Sequence, residues 1–497
     1  MTTSQHVARP EESVEVRSPS GMTGKQRLTL IVLLTASFTL AVDFSVLNVA
    51  LPTIGADIGF SLGNLQWIAT SFALCAAGFT LLFGRVGDLV GRRRMFLIGM
   101  ALLGAGSLLG GLATEPATLL LARVAQGIAT AIVVPSALSL LLGSFSEGPL
   151  RAKALGLNGA LMAAGFTTGA ILGGLLTDLL SWRWAFFINI PVAVGVLIIA
   201  PIVLTESRPA GRTRLDVPGA ISVTLGLLAL VFGLTRAAAT SWAEPATLGS
   251  IAAAIILFVV FAAIEHRAVF PLVPLAILRR STVAWGNFAG ILAFVTETSL
   301  VFLLTLYLQK VLGYTPLGAG LSFAVLGIGT VIGGLMGPKV IGKVGSKRAI
   351  VYGFVVQAIA TASLVMLGTS GSTIALLLVA TFVGGVANLV VIVGFMVTAT
   401  SGLPDEEQGL ATGLATMSQQ VGISMGIPIM SAIFTAQLLA VGSDSAVAVL
   451  SGVTLAIWVN ASLCLAAALV VTIFLKISKA VSPKVESMES LFGEVIG

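Results

Sequence analysis

Three charged side chains stand inside long apolar stretches of this sequence: Asp43, Arg123 and Glu297. One charged residue at the centre of a bilayer costs about 2.5–3.5 kcal/mol on insertion scales, so such residues usually line a substrate or ion path or pair with each other. A carboxyl group can gain and lose a proton as its surroundings change, whereas arginine keeps its charge. These residue types therefore predict a site that handles protons, cations or both.

Asp43 and Arg123 are expected to lie at nearly the same depth. Asp43 is about eight residues, or about 12 Å, from the end of the first apolar run, and Arg123 is about six residues, or about 9 Å, into the fourth. Two interpretations stay open for the pair. It is either a purely structural ion pair or a switch in which Arg123 holds Asp43 ionised until a movement separates them.

Glu297 falls near the middle of the ninth apolar run. A carboxyl group at that depth suits a carrier that loads and releases a proton, or an acid that attracts a cationic substrate. The alternative is a polar packing site formed with Thr296 and Thr298.

The composition places most of the chain in lipid. Charged residues make up 10% and hydrophobic residues 57% of the 497 residues, with a mean hydropathy of +1.05, against about 25% charged residues in soluble domains. Since a spanning segment needs about 20 apolar residues and must satisfy its own backbone, an all-α polytopic membrane protein with fourteen transmembrane helices is predicted. The apolar runs are 28–50, 66–84, 95–113, 117–143, 153–180, 184–204, 216–235, 247–264, 283–308, 317–336, 349–369, 374–400, 409–440 and 450–475.

Lysine and arginine are distributed unevenly between the two sides. If the N-terminus is inside, 23 of the 27 basic residues fall in inner segments, as the positive-inside rule requires of an even number of spans. Both termini are therefore expected in the cytoplasm, with a disordered tail at 1–27 and a second tail at 476–497. Because the basic residues lie in short turns, the net charge of +6 does not indicate nucleic-acid binding.

One basic, glycine-rich stretch occurs twice. Residues 84–94 (GRVGDLVGRRR) are expected to form a turn between the second and third spans, and residues 338–348 (PKVIGKVGSKR) repeat its shape 254 residues later. The repeat predicts two six-helix bundles, 28–205 and 266–475, with a linker and two inserted helices at 206–265. The turn either is a solvated loop or acts as a cytoplasmic latch towards Asp405, Glu406 and Glu407. The residues expected to form this latch are Gly84, Gly87, Asp88, Gly91, Arg92 and Arg93.

With the repeated turn in place, the chain resembles the major facilitator superfamily, and more narrowly its fourteen-helix bacterial drug:proton antiporters. The turn 84–94 is similar to the superfamily's cytoplasmic loop signature. Residues 41–52 (AVDFSVLNVALP) resemble the first-helix motif, 123–127 (RVAQG) the fourth-helix motif, and 182–191 (WRWAFFINIP) a segment typical of that branch. The resemblance covers the first half well and the second half mainly in outline.

Glycines of the fifth apolar run carry a further resemblance. They are similar to the fifth-helix antiporter motif, although Ala170 replaces its proline. Small residues allow close helix packing, and we expect a smooth face there on which one helix can rock against another. The glycines expected to form this face are Gly165, Gly169, Gly173 and Gly174.

These features favour a proton-coupled multidrug efflux antiporter of the bacterial cell membrane, working by alternating access. The expected partners are small amphipathic substrates, cationic ones included, together with protons and the bilayer, and a monomer is expected. An importer or facilitator of a small nutrient on the same fold is the alternative, and a membrane enzyme or receptor is a third possibility. No cofactor is expected, and no metal, because His6 and His266 both lie outside the apolar runs.

Overall fold

The computed structural model of the chain describes residues 22–61, 64–145, 149–206, 216–240, 242–268, 275–401, 403, 405–443 and 445–476. Most of both predicted tails, 1–21 and 477–497, lies outside the described residues. The prediction of a disordered segment up to residue 27 is wrong at its end, since the first helix begins at Gly24. Thr23 and Gln26 form a capping box there, which satisfies N–H groups that the first turn cannot pair internally.

Each predicted apolar run coincides for most of its length with one long helix, although the run 349–369 extends six residues past the end of its helix at Ser363. The helices are α1 (Gly24–Ile58), α2 (Gln66–Val90), α3 (Arg92–Gly111), α4 (Pro116–Ser144), α5 (Pro149–Leu179), α6 (Trp184–Val203), α7 (Val217–Ala239), α8 (Pro245–Arg267), α9 (Ser281–Leu306), α10 (Pro316–Val344), α11 (Ser346–Ser363), α12 (Ile374–Thr400), α13 (Asp405–Val441) and α14 (Ala446–Phe474). In the described part of the chain, twelve of them, all except α2 and α5, are long and apolar enough to cross a membrane. The chain is therefore a multi-pass, all-helical protein.

Several helices begin before the apolar run that predicted them, at a polar cap or a proline. Proline occupies the first turn of α4, α8 and α10, where no N–H partner is lost. The glycine-rich stretch 84–94 is mostly helix rather than turn: α2 runs to Val90, and only Gly91 separates it from α3. Gly91 has φ +117°, and its counterpart Gly345, between α10 and α11, has φ +82°, so both junctions require glycine.

Contacts between helices divide them into two groups with the same internal pattern. In α1–α6, α1 packs against α4, α5 and α6, α2 against α4, and α3 against α4 and α6. In α9–α14, α9 packs against α12, α13 and α14, α10 against α12, and α11 against α12 and α14. The groups meet where α5 contacts α10 and α2 contacts α13, while α7 packs on both α2 and α13 and α8 packs on α7.

The two ends of the helix assembly are packed differently. At the end where α1 finishes, which we call the far face, one buried apolar core joins both groups, from Val46 and Leu51 of α1 to Leu303 and Leu304 of α9. At the end where α1 begins, the N-face, the first group has its own core around Phe96, and the second has another around residues of α11 and α14. The two groups are thus packed against each other through one continuous apolar core at the far face.

Candidate functional site

Asp43 lies in the interior of the first group, on α1, with no exposed surface. Its Oδ2 accepts a hydrogen bond from Arg123 Nη1 of α4 at 3.2 Å. Its Oδ1 accepts from Gln126 Nε2 at 2.8 Å and from Asn189 Nδ2 at 2.5 Å. Ser107 Oγ of α3 accepts from the same two amides, at 3.0 Å and 3.2 Å. A carboxylate can be buried only with such partners. Here α4 and α6 supply them, and Ser107 of α3 helps to hold the two amides in place.

Arg123 is fully buried as well. Besides Asp43, its Nη1 donates to Gln126 Oε1 at 2.8 Å and its Nε donates to the carbonyl of Ile68 at 3.0 Å. Its Cζ lies 4.3 Å from the centre of the Phe72 ring, a cation–π contact with α2. The expected proximity of Asp43 and Arg123 is therefore present, and it is part of a wider polar cluster.

Three members of that cluster were not singled out from the sequence: Ser107, Gln126 and Asn189. Gln126 belongs to the RVAQG segment and Asn189 to the WRWAFFINIP segment, so the motifs contained both residues, although neither was chosen as a site residue. No sequence motif pointed to Ser107, because a serine in an apolar helix most often bonds the backbone of its own helix. Only the packing of α3 against α4 and α6 reveals its position.

An aromatic cluster connects the charged pair with the second group. The ring of Phe72, under Arg123, lies 5.8 Å from the ring of Phe44, and Phe44 lies 5.8 Å from Phe166 of α5. Ile423 of α13 packs against the same cluster. Asp43 therefore faces the interior of the first group, while its neighbour Phe44 faces the boundary between the groups.

Glu297 lines a small cavity inside the second group. The walls come from α9, α10, α11 and α12, and the free space is enough for a water-sized group. Among the described residues, no side chain or backbone group donates a hydrogen bond to the Glu297 carboxyl, and no cation pairs with it. The lining consists of Glu297, Leu300, Val301, Leu304, Leu326, Gln357, Thr381, Gly384, Gly385 and Asn388.

Buried amides surround Glu297, and the sequence had not singled them out. Asn388 Nδ2 donates to Gln357 Oε1 at 3.4 Å, and Gln357 Nε2 donates to Thr296 Oγ1 at 3.1 Å. Asn460 Nδ2 of α14 donates to Ser299 Oγ and to the carbonyl of Thr296, both at 3.0 Å. The second group thus has its own polar cluster. Thr298 is not part of it, because its hydroxyl bonds the carbonyl of Phe294.

The predicted latch residues lie at the N-face, around the α2–α3 junction. The backbone at Gly84 passes near Pro135 and that at Gly87 near Ser136, so both glycines face α4 within α2. Arg93 donates from its backbone N–H to Glu206 Oε1 at 3.1 Å and from Nη2 to the carbonyl of Pro201 at 2.6 Å. Glu206, which follows α6, therefore caps the start of α3. The side chains of Asp88 and of Asp405, Glu406 and Glu407 lie outside the described residues, so the latch that includes Arg92 stays a prediction.

Glycines of α5 bring that helix into contact with backbone on two sides. A Cβ atom at Gly165, Gly169 or Gly173 would lie 2.9, 2.7 or 2.0 Å from a carbonyl oxygen of α1. One at Gly174 would lie 2.5 Å from the carbonyl oxygen of Pro316, which begins α10. Three of the four predicted glycines therefore pack within the first group, and Gly174 packs across to the second.

The comparison with known proteins decides the family. The sequence pattern of the Major Facilitator Superfamily matches residues 33–427. The chain belongs to the Major Facilitator Superfamily. It is thus a multi-pass membrane transporter, and the predicted fold is confirmed at the level of the superfamily.

Curated relatives and solved structures agree with that assignment. The chain is 36% identical to the cephamycin export protein CmcT of Amycolatopsis lactamdurans, over 84% of this chain and 87% of that protein. It is 34% identical to the puromycin resistance protein pur8 of Streptomyces alboniger, over 82% and 81% of the two chains. The fold is similar to that of the human organic anion transporter MFSD10, with a TM-score of 0.60, 14% identity and coverage of 90% and 100%. A mutant of the nucleoside transporter NupG gives a TM-score of 0.63 at 11% identity, over 90% and 100%.

Proposed function

We propose that this transporter is a proton-coupled exporter of antibiotic-like molecules that works by alternating access in the cell membrane. The observation that carries the proposal is the Asp43–Arg123 pair, fully buried among apolar helices and in contact with the aromatic cluster between the two groups. Relatives at 31–36% identity, whose names describe antibiotic export or resistance, support a drug-like substrate.

Protonation of Asp43 would act through the contacts that the carboxylate makes. A neutral Asp43 no longer attracts the guanidinium of Arg123, and it needs only some of the donors that now surround it. Arg123 would then depend more on Phe72 and on the carbonyl of Ile68. Because Phe72 contacts Phe44, and Phe44 lies at the boundary with α13, a small shift of the guanidinium would reach the surface on which the two groups meet.

The packing at the two faces supports an alternating-access cycle. One large apolar core joins the groups at the far face, whereas the two main cores at the N-face are separate and only a smaller cluster links α2 to the second group there. We infer from this difference a carrier that is closed at the far face. We infer that the N-face is cytoplasmic, in keeping with the distribution of basic residues. All fourteen long helices would cross the membrane, as two six-helix bundles with α7 and α8 inserted between them.

The proton gradient can supply the required energy. Each proton that enters the cell releases about 2.3 kcal/mol per 100 mV of membrane potential and about 1.4 kcal/mol per pH unit. One proton per substrate would therefore sustain a gradient of roughly several hundredfold for a neutral molecule.

Transport by the purified full-length chain in proteoliposomes tests the proposal. A panel of fluorescent antibiotic-like molecules is offered with an imposed pH gradient, with and without a protonophore. We expect uptake against the substrate gradient only while the pH gradient lasts. In Asp43→Asn and Glu297→Gln, we expect that substrate no longer accumulates.

Glu244→Gln is the matched control, because Glu244 lies in the loop between α7 and α8, where it pairs with Arg236. It should transport like the unmodified chain. Accumulation that ignores the protonophore, or full coupling in both Asp43→Asn and Glu297→Gln, would remove proton coupling from this account.

A further inference from the structure

The polar groups that line the cavity beside Glu297 donate nearly all of their hydrogen bonds to other protein groups and not into the cavity. We infer that it binds the protonated primary amine of a substrate, and that it selects ammonium groups that carry several N–H bonds over fully alkylated ones. This inference rests on the proposed export function and adds the chemical group that is recognised in the second group of helices. It follows from the direction of the hydrogen bonds around the cavity.

A backbone carbonyl, which can only accept a hydrogen bond, determines the direction of these bonds. Asn388 Nδ2 donates to the carbonyl of Ala293 at 3.1 Å, which fixes which end of the amide is the nitrogen and which is the oxygen. The same nitrogen donates to Gln357 Oε1, so both of its N–H groups are committed. Thr296 Oγ1 donates to the carbonyl of Leu292 at 2.9 Å and must therefore accept from Gln357 Nε2, which fixes the Gln357 amide as well.

The outcome is a cavity that offers acceptors. Asn388 is buried, at 2% exposure, and its Oδ1 has no hydrogen-bond partner among the described residues. The Thr381 hydroxyl donates to the carbonyl of Leu377 at 2.8 Å, which leaves its lone pairs available. With the Glu297 carboxyl, three oxygen-bearing side chains then face the cavity, and among the polar hydrogens of the lining only the second N–H of Gln357 is uncommitted. A buried acceptor without a donor is unfavourable, so this arrangement favours a ligand that donates hydrogen bonds.

The size and the polarity of the cavity restrict further which ligand it can bind. The free space takes a water-sized group, so an –NH₃⁺ head fits there more closely than the larger trimethylammonium head. Hard divalent cations prefer six or more oxygen ligands and keep several waters, more than this small cavity offers. Leu300, Leu304 and Leu326 complete the lining, and they suit the apolar part of the molecule that carries the amine. The geometry therefore favours the amine end of an amphipathic molecule.

Calorimetric titration of the full-length chain in lipid nanodiscs tests this inference with two probes. One is 4-phenylbutylammonium and the other is its N,N,N-trimethyl counterpart, which has the same charge and no N–H group. We expect the primary ammonium to bind at least about tenfold more tightly, since each hydrogen bond to a charged group contributes about 1.5–3 kcal/mol, and 1.4 kcal/mol is tenfold. This comparison uses the unmodified chain and so does not depend on how any variant folds.

Two variants locate the effect. Glu297→Gln should weaken binding of the primary ammonium by about tenfold to a hundredfold. Asn388→Leu should weaken binding of the primary ammonium about tenfold and leave that of the trimethyl probe unchanged, and Glu244→Gln should alter neither. Equal affinity of the two probes for the unmodified chain would overturn the inference. So would displacement of the primary ammonium by sodium at equal concentration, which would assign the cavity to an inorganic cation.

The failure of this inference can be told from the failure of the proposed function. If proteoliposomes accumulate drugs at the expense of the pH gradient and the two probes bind equally, the exporter stands and the amine site is wrong. If no test molecule is transported but the primary ammonium binds selectively through Glu297, the site stands and the export mechanism is wrong.

Discussion

Asp43 and Glu297 lie 254 residues apart, on the first helices of the two groups, yet Asp43 accepts three side-chain hydrogen bonds and Glu297 accepts none from the described residues. The same separation relates the junction glycines Gly91 and Gly345. It also relates Ser107, whose hydroxyl accepts two amide hydrogens, to Thr361, whose buried hydroxyl has no partner in the described part of the chain. The polar side chains Asp43 and Ser107 thus have hydrogen-bond partners in the first group, whereas Glu297 and Thr361, at the equivalent positions of the second group, have none among the described residues.

The buried ion pair predicts a large stability difference between single and double substitutions. Arg123→Gln leaves the Asp43 carboxylate buried without its cation, which typically destabilises a protein by about 3–5 kcal/mol. Asp43→Asn/Arg123→Gln removes both charges and should recover most of that loss. The measurement is the denaturant dependence of unfolding in detergent. Equal losses in the single and double variants would show that the charge interaction contributes little.

The contact between α5 and α1 predicts that Gly173 tolerates no side chain. A methyl group there would meet the carbonyl oxygen of Val46 at 2.0 Å, and backbone cannot move aside as a side chain can. Gly173→Ala should therefore lower the stability by about 1–3 kcal/mol or more. Gly195→Ala on α6 is the control, because no heavy atom lies within 4 Å of its Cβ position. It should gain about 0.5–1 kcal/mol from better helix propensity. Similar thermal unfolding of the two variants would contradict the close packing.

Alanine substitutions at the two junction glycines, Gly91 and Gly345, distinguish the cost of backbone strain from the cost of disturbing the contact with Glu206. Alanine at either Gly91 or Gly345 adopts a positive φ, at a cost of about 1–3 kcal/mol. At Gly91 the added Cβ also lies 2.7 Å from the Glu206 carboxylate, whereas at Gly345 it meets nothing within 4 Å. Gly91→Ala should therefore cost about 0.5–1.5 kcal/mol more than Gly345→Ala, the usual range for a lost hydrogen bond. The difference should shrink when both are measured with Glu206→Ala, and its persistence would mean that Glu206 does not cap α3.

The sealed far face predicts a cross-link that stops transport. Gln309 Nε2, just after α9, donates to the carbonyl of Val49 on α1 at 2.6 Å, which joins the two groups. In a chain with Cys75→Ala and Cys464→Ala, the pair Val49→Cys/Gln309→Cys should react with a short reducible bifunctional thiol reagent. We expect transport in proteoliposomes to fall to background and to return after reduction, because the two groups must separate there. The single variants are the controls, and full transport by the cross-linked chain would argue against opening at this face.

Much of the architecture was predictable because the bilayer imposes strong local constraints. Each predicted apolar run is helical over most of its described residues, since a segment of about 20 apolar residues can satisfy its backbone in lipid only as a helix. The boundaries were less predictable. The apolar run at 66–84 ends six residues before α2 does, because a helix continues into polar residues until a cap or a glycine stops it.

Residue types in the chain alone pointed to Asp43, Arg123 and Glu297, because a charge in an apolar run is conspicuous. Tertiary structure was needed to show that Asp43 accepts hydrogen bonds from several donors and that Glu297 accepts none from the described residues. The neighbours of both acids (Ser107, Gln126, Asn189, Gln357 and Asn388) come from helices distant in sequence. A neutral amide or hydroxyl in an apolar helix gives no local sign of what it faces. Helix packing decides which acid has partners, because hydrogen bonds depend on distances of about 3 Å that a pattern of residue types does not contain.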